Sequence, residues 1–183
     1  FSIFLRDIGV NNFINFLKKI YRKLSVVVNF VNVYKAEYKE IDKINPTESK
    51  VKFHVISDYS ELVNYFRTMQ KPVKRHHYKR LMSDDIFYCL SSENDIVCSG
   101  WSSARNLHVS EIEKTLNIDG NYVLYDFFTP PEFRNNGYYK MILQNILFHL
   151  QSDAYIYTLK SNKASNRAIQ HIGFEKTNIY NFE

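Results

Sequence analysis

Cysteine, proline and glycine are all scarce in this chain: two Cys, four Pro and five Gly among 183 residues. Cys89 and Cys98 would sit across from each other if residues 92–95 form a hairpin turn. A disulfide there is conceivable, but two reduced thiols fit a cytosolic setting better. No further ligands lie at the spacing that zinc requires, so no metal site is expected. Long apolar runs are missing too. The best, residues 25–33, is short and interrupted by Asn, which excludes a membrane-spanning helix. A secretory signal is not visible either, because the first residues do not combine a charged region, an apolar run and a small-residue cleavage site.

What is present is apolar and aromatic. The composition is 45% hydrophobic with 14 Tyr and 14 Phe, enough for one good core and a single-domain length. Residues 121–150, NYVLYDFFTPPEFRNNGYYKMILQNILFHL, organise the rest. The first part, 122–129, is aromatic and β-branched and stops at Pro130-Pro131, the signature of a strand that ends abruptly. The second, 139–150, places Met141, Ile142, Leu143, Ile146, Leu147 and Leu150 at helical spacing. Between them lies Arg134-Asn135-Asn136-Gly137-Tyr138-Tyr139. A polar, Gly-containing turn feeding a helix N-terminus leaves backbone N–H groups unpaired where the helix dipole favours negative charge. Such a turn suits phosphate, with Gly137 allowing close backbone approach.

The segment PPEFRNNGYYKMIL resembles the acyl-CoA-binding motif of the GNAT N-acetyltransferase superfamily, Arg/Gln-x-x-Gly-x-Gly/Ala after a strand. A second stretch, Asn162-Lys-Ala-Ser165 continuing to Gly173-Phe174, resembles the later motif of that family, in family order and spacing. The resemblance covers the chain from about Lys50 onward and implies an acetyl-CoA-dependent acyltransferase. It implies that backbone groups of Phe127, Phe128 and Thr129 bond the pantetheine amides as an added strand would. Amides of Asn135, Asn136, Gly137, Tyr138 and Tyr139 would take the diphosphate with charge from Arg134, while Asn162 and Ser165 would contact the pantetheine arm. Two positions depart from the family pattern: Tyr139 replaces the second Gly/Ala, and Ile169 stands where family members often carry a Tyr acid.

Taken in order, residues 9–24 read as an amphipathic helix with Lys18, Lys19, Arg22 and Lys23 on one side. It either packs on its own domain or contacts a membrane surface or partner. Residues 26–38 alternate as a strand, and the loop at 41–50 divides the chain into an N-terminal extension, 1–49, and an acyltransferase domain, 50–183. A strand at 52–56 and a helix capped by Ser57 or Asp58 follow. Residues 71–80 hold five Lys/Arg and two His with no acid. This run is a solvated helix end or, on the resemblance, part of the acceptor cleft, with nucleic acid ranked last. Strands are expected at 85–90 and 96–104, and Ser110-x-x-Glu113 reads as a capping box for a short helix ending near Asn117. Another strand, a helix and a final strand occupy 153–159, 163–171 and 173–182.

The expected fold is therefore α+β: a twisted, largely antiparallel mixed sheet flanked by helices and splayed at its central strands. The expected reaction is direct attack of an amine acceptor on the thioester, the acceptor being a small molecule or an amino sugar of surface-polysaccharide assembly. The competing reading is a degenerate binding module acting through its basic surface. Asp126, on the central strand, is the candidate catalytic group; His76, His77, His108, Glu111 and Glu113 are unmarked alternatives. Arg75, His76, His77 and Trp101 are the acceptor-binding candidates.

Overall fold

A computed structural model describes residues 31–38, 51–110 and 113–177. Within them seven of nine strands form one sheet, in the spatial order 52–56, 86–92, 95–103, 122–128, 154–159, 31–36 and 175–176. The strands are β1 Val31–Ala36, β2 Lys52–Ile56, β3 Ile86–Ser92, β4 Asp95–Ser103, β7 Tyr122–Phe128, β8 Ala154–Leu159 and β9 Glu175–Lys176. Strands β5 Leu107–Val109 and β6 Lys114–Leu116 form a separate hairpin. Every pairing is antiparallel except β7 with β8, so the sheet is mixed and largely antiparallel, as expected. No helix among the described residues is long and apolar enough to cross a membrane.

Among the described residues four α-helices cover the two faces. Helix α1, Tyr59–Thr68, begins at Asp58, whose carboxylate accepts from the Glu61 N–H at 3.0 Å, a standard N-cap bond. Leu62 and Phe66, one turn apart, bury its inner stripe. Helix α2, Arg75–Leu81, turns the expected basic run into a short helix with His77 and Leu81 inside. Helix α3, Tyr138–Leu150, buries Ile142, Leu143, Ile146 and Leu147 against the other face, and α4, Lys163–His171, packs beside it with Ile169 inside. One core lies under α3 and α4, and a second lies under α1 and α2 around Phe87, Trp101 and Tyr125.

Three expectations are corrected. Strand β1, assigned to an extension before residue 50, is an interior strand between β8 and β9. Asn166 on α4 fastens it: the Oδ1 accepts from Asn32 Nδ2 at 2.7 Å and from the Tyr34 hydroxyl at 2.6 Å. The Nδ2 of Asn166 donates to the Leu159 and Asn162 carbonyls. In place of the helix expected from Ser110 to near Asn117, Lys114–Leu116 form strand β6, because pairing Leu107 with Leu116 lets Val109, Leu116 and Ile118 bury in one cluster. The cysteines are not opposite each other. A register shift at Leu90/Ser91 sets Cys98 across from Leu90 and Cys89 across from Ser99. Successive residues face opposite sides of a sheet, so Cys89 joins one core and Cys98 the other, both as free thiols. Burial pushes the Cys89 thiol up to about 12 and the Cys98 thiol up to about 11.

The helix expected at 9–24, the strand residues 26–30, Glu111 and the last residues of the expected final strand lie outside the described residues.

Candidate active site

Strands β7 and β8 pair only at Tyr122–Ala154, Val123–Tyr155 and Leu124–Ile156. Both then continue, β7 to Phe128 and β8 to Leu159, with their facing edges no longer joined. A bulge drives them apart. Trp101 pairs with Tyr125 and Ser99 with Phe128, so Asp126 and Phe127 together oppose the single residue Gly100. Asp126 takes the left-handed conformation, φ +52°, which an Asp tolerates better than most residues. The result is an opening of about 600 Å³ between the strands.

Beside this opening, Pro130-Pro131 end β7 and a single 3-10 turn, Pro131–Phe133, leads to the loop before α3. Asn135 at φ +65° and Gly137 at φ +76° bring the backbone round, and Gly137 caps α3 with no side-chain bond to the first-turn amides. Residues 134–137 are exposed, and nothing lies within 4 Å of a Cβ built on Gly137. The first amides of α3 therefore point outward with the positive end of the helix dipole, an arrangement that suits an anion. Arg134 holds its own loop, donating from Nε to the Thr129 carbonyl at 3.1 Å.

The predicted coenzyme residues divide into two groups. Phe127, Tyr139, Asn162 and Ser165 line the opening, whereas Phe128, Thr129 and residues 134–138 do not. Asn162 has a structural task as well, since its side chain caps α4 by accepting from the Ser165 N–H at 3.2 Å. Tyr139 reaches across: its ring meets Phe127 edge-on at 5.4 Å, and its phenol lies against the Ser165 hydroxyl. Burial raises the ionisation point of that phenol well above the usual range. Ile169, where a Tyr was expected of the family, is fully buried.

On the far wall, Asp126 lines the opening and accepts from Arg80 Nη1 at 2.6 Å. The Arg80 guanidinium also lies 5.0 Å from the ring centres of both Trp101 and Tyr125, close enough for cation–π attraction. Arg80 is thus the member of the basic run that reaches the site. Arg75 and His76 are exposed and do not line the opening, and Trp101, 2% exposed, lies beneath Arg80 and His77. His77 is a core residue among Phe66, Phe87 and Trp101. Burial first, then the nearby positive charges of His76 and Arg80, lower its pKa to about 4. His108 lines the opening, and its Nε2 lies 3.6 Å from Glu113.

Two wall residues escaped the sequence reading. Asp85, 4% exposed, accepts from the Tyr125 hydroxyl at 2.6 Å and from Arg105 at 2.8 Å. Burial, then the bond to Asp85, raises the Tyr125 phenol. Asp85 directly precedes β3 and Tyr125 lies in the middle of β7, so only the tertiary fold brings them together.

No protein-family model matches the chain, and no curated protein matches it in sequence. Solved structures do match its fold. A GCN5-related N-acetyltransferase from Kribbella flavida superposes with a TM-score of 0.52 at 11% identity, covering 79% of this chain and 53% of its own. The fold is that of the GNAT acetyltransferases. An aminoglycoside N-acetyltransferase in complex with CoA gives a TM-score of 0.52 at 16% identity, covering 70% of this chain and 94% of its own. A conserved protein of unknown function from Staphylococcus epidermidis gives 0.56 at 11% identity, covering 80% and 57%. The chain therefore spans little more than half the length of two of these matching structures. At such identities the likeness establishes the GNAT fold and leaves the chemistry to the residues.

Proposed function

We propose that the chain is an acyl-CoA-dependent N-acyltransferase that uses acetyl-CoA and passes the acetyl group to an amine by direct attack on the thioester. One observation carries this reading: β7 and β8 part after Leu124 and Ile156, directly beside the uncapped N-terminus of α3 behind Gly137. The amides of residues 135–139 take the diphosphate, with Arg134 adding positive charge. The unpaired edge of β7 at Phe127–Thr129 offers hydrogen bonds to the pantetheine amides.

The acceptor enters from the wall carrying Asp126. Arg80 engages Oδ2 of that carboxylate, and we assign Oδ1 to the acceptor nitrogen: as the C–N bond forms Oδ1 takes a proton from that nitrogen, the C–S bond breaks, and CoA leaves as a thiolate that recovers a proton from the Asp126 carboxyl or from water. Alignment of the two reactants supplies most of the acceleration in such a site. An amino sugar suits the acceptor position, because Tyr125 and Tyr157 present aromatic surface and Ser110 a hydroxyl within one cavity. The shared fold with an aminoglycoside N-acetyltransferase supports the same class. We place the reaction in the cytosol.

A second reading, a coenzyme-binding module without turnover, is favoured by the buried Ile169 and by Tyr139 inside the slot. The deciding experiment is thiol release from acetyl-CoA against amino sugars, polyamines and peptide N-termini. Release with one class and none without acceptor supports the transferase. A rise in melting temperature with CoA but no release with any acceptor supports the module.

A further inference from the structure

The slot is bridged by one side chain. Tyr139 belongs to the first turn of α3, two residues after Gly137, so it stands immediately below the outward-facing amides. It lines the opening, with the Phe127 ring of β7 edge-on at 5.4 Å and the Ser165 hydroxyl of α4 near its phenol. Phe127 lies on β7 and Ser165 on the helix that follows β8, and all three residues line the same cavity. A chain anchored on the amides and running down between the strands must pass the point where the phenol lies.

Phe127 is poorly placed to yield. Its ring is seated over Gly100, with Cε1 2.3 Å from where a Cβ would stand, and the bulge fixes the backbone beneath it. Tyr139 is held by an edge-on ring contact and a hydroxyl pair, both modest interactions. Rotation about its χ1 swings the ring without altering the helix.

We propose that Tyr139 sets access to the slot: the pantetheine arm of the coenzyme enters only by displacing the Tyr139 ring from Ser165, and the displaced ring then forms one wall of the filled channel. The inference rests on the coenzyme reading above. The energy of the broken contacts is subtracted from coenzyme affinity, whereas a ligand that reaches only the amides is spared it.

The test compares wild type, Tyr139→Phe and Tyr139→Ala by titration calorimetry with two ligands, CoA and 3′,5′-ADP, which carries phosphates but no pantetheine arm. Tyr139→Ala is expected to bind CoA roughly tenfold tighter than wild type, about 1.4 kcal/mol, with Tyr139→Phe between them. Affinity for 3′,5′-ADP is expected to be alike in all three. Equal or weaker CoA binding by both variants, with binding by wild type intact, overturns the proposal and leaves the coenzyme reading standing. Failure of all three folded proteins to bind either ligand overturns both. Tyr139→Phe keeps the ring and the core, so the comparison survives if Tyr139→Ala does not fold.

Discussion

The ring of Phe127 occupies the space that a side chain at position 100 would need. A Cβ built on Gly100 would meet Phe127 Cε1 at 2.3 Å and Cδ1 at 2.4 Å. Gly100 is therefore required for the room it leaves, opposite the two bulged residues Asp126 and Phe127. The bulge in turn parts the strands. Sequence, local geometry and site are linked through one missing methyl group.

Gly100→Ala should accordingly destabilise the fold by about 1–3 kcal/mol, the usual range for overpacking a filled interior. In a Phe127→Ala background the same change should cost much less, because the clashing ring is gone. Urea unfolding of the four proteins of this double-mutant cycle measures the coupling. Equal costs in the two backgrounds would show that the ring is not what excludes a side chain there.

A second pair tests the acceptor wall. Asp85 is buried and accepts from both Tyr125 and Arg105. Tyr125→Phe removes one donor and keeps the ring under Arg80, so stability should fall by about 1–3 kcal/mol, the range for leaving a buried group short of a partner. Asp85→Ala should cost at least as much, since it strands the Tyr125 hydroxyl in the core. Thermal and urea melts of both variants decide; a neutral Asp85→Ala would mean that water satisfies that hydroxyl.

What could be read from residues alone follows from how local each feature is. The strand expected at 122–129, the Pro130-Pro131 stop and α3 were legible because the hydrophobic period changes from strand to helix within one stretch, with the polar loop 134–137 between them. Helix α1 was legible from its Asp58 cap and apolar stripe. Features set by distant partners were hidden. Strand β1 pairs with β8, far along the chain, and nothing near Val31 announces that neighbour. The residues around Ser110 carried a valid local helix signal, yet pairing of Leu107 with Leu116 buried more apolar surface. Cys98 changed face because of one irregular position at Leu90/Ser91. Trp101, expected to face the acceptor, lies covered because the basic run formed α2 and laid Arg80 over it. Which single residue of five Lys/Arg in that run reaches the site depends on helix phase, which the composition of the run does not encode.

Stability should also depend on pH through His77. Its folded-state pKa is about 4, against an ordinary value of 6.5. Between those values the unfolded chain binds the proton and the folded chain does not, so stability rises with pH through this window and falls on acidification. The contribution is full above about pH 6.5 and gone below about pH 4, and amounts to about 2 kcal/mol after allowance for partial solvent access. His54 and His76 are also lowered, each by burial first, and add to the slope in the same direction. Melting temperature against pH should drop less steeply between pH 7 and pH 4.5 in His77→Phe than in wild type. Parallel curves would place the acid sensitivity elsewhere.

The last prediction concerns the loop proposed to hold the diphosphate. Gly137 is exposed, with φ +76° and open space where a side chain would go. Space is therefore no obstacle to substitution, and the cost of a larger residue is the left-handed backbone alone, about 1–2 kcal/mol. Asn tolerates that conformation best among residues with a side chain, so Gly137→Asn should keep both the fold and much of the CoA affinity. Gly137→Glu carries a carboxylate to the helix N-terminus, where it competes with the coenzyme phosphates for the same amides. It should melt close to Gly137→Asn yet bind CoA roughly 100-fold more weakly, a difference of about 2.7 kcal/mol. Calorimetric titration of the two variants side by side separates charge from backbone strain. Equal CoA affinity in both would mean that the phosphates do not lie on these amides, and the diphosphate would have to be sought away from the N-terminus of α3.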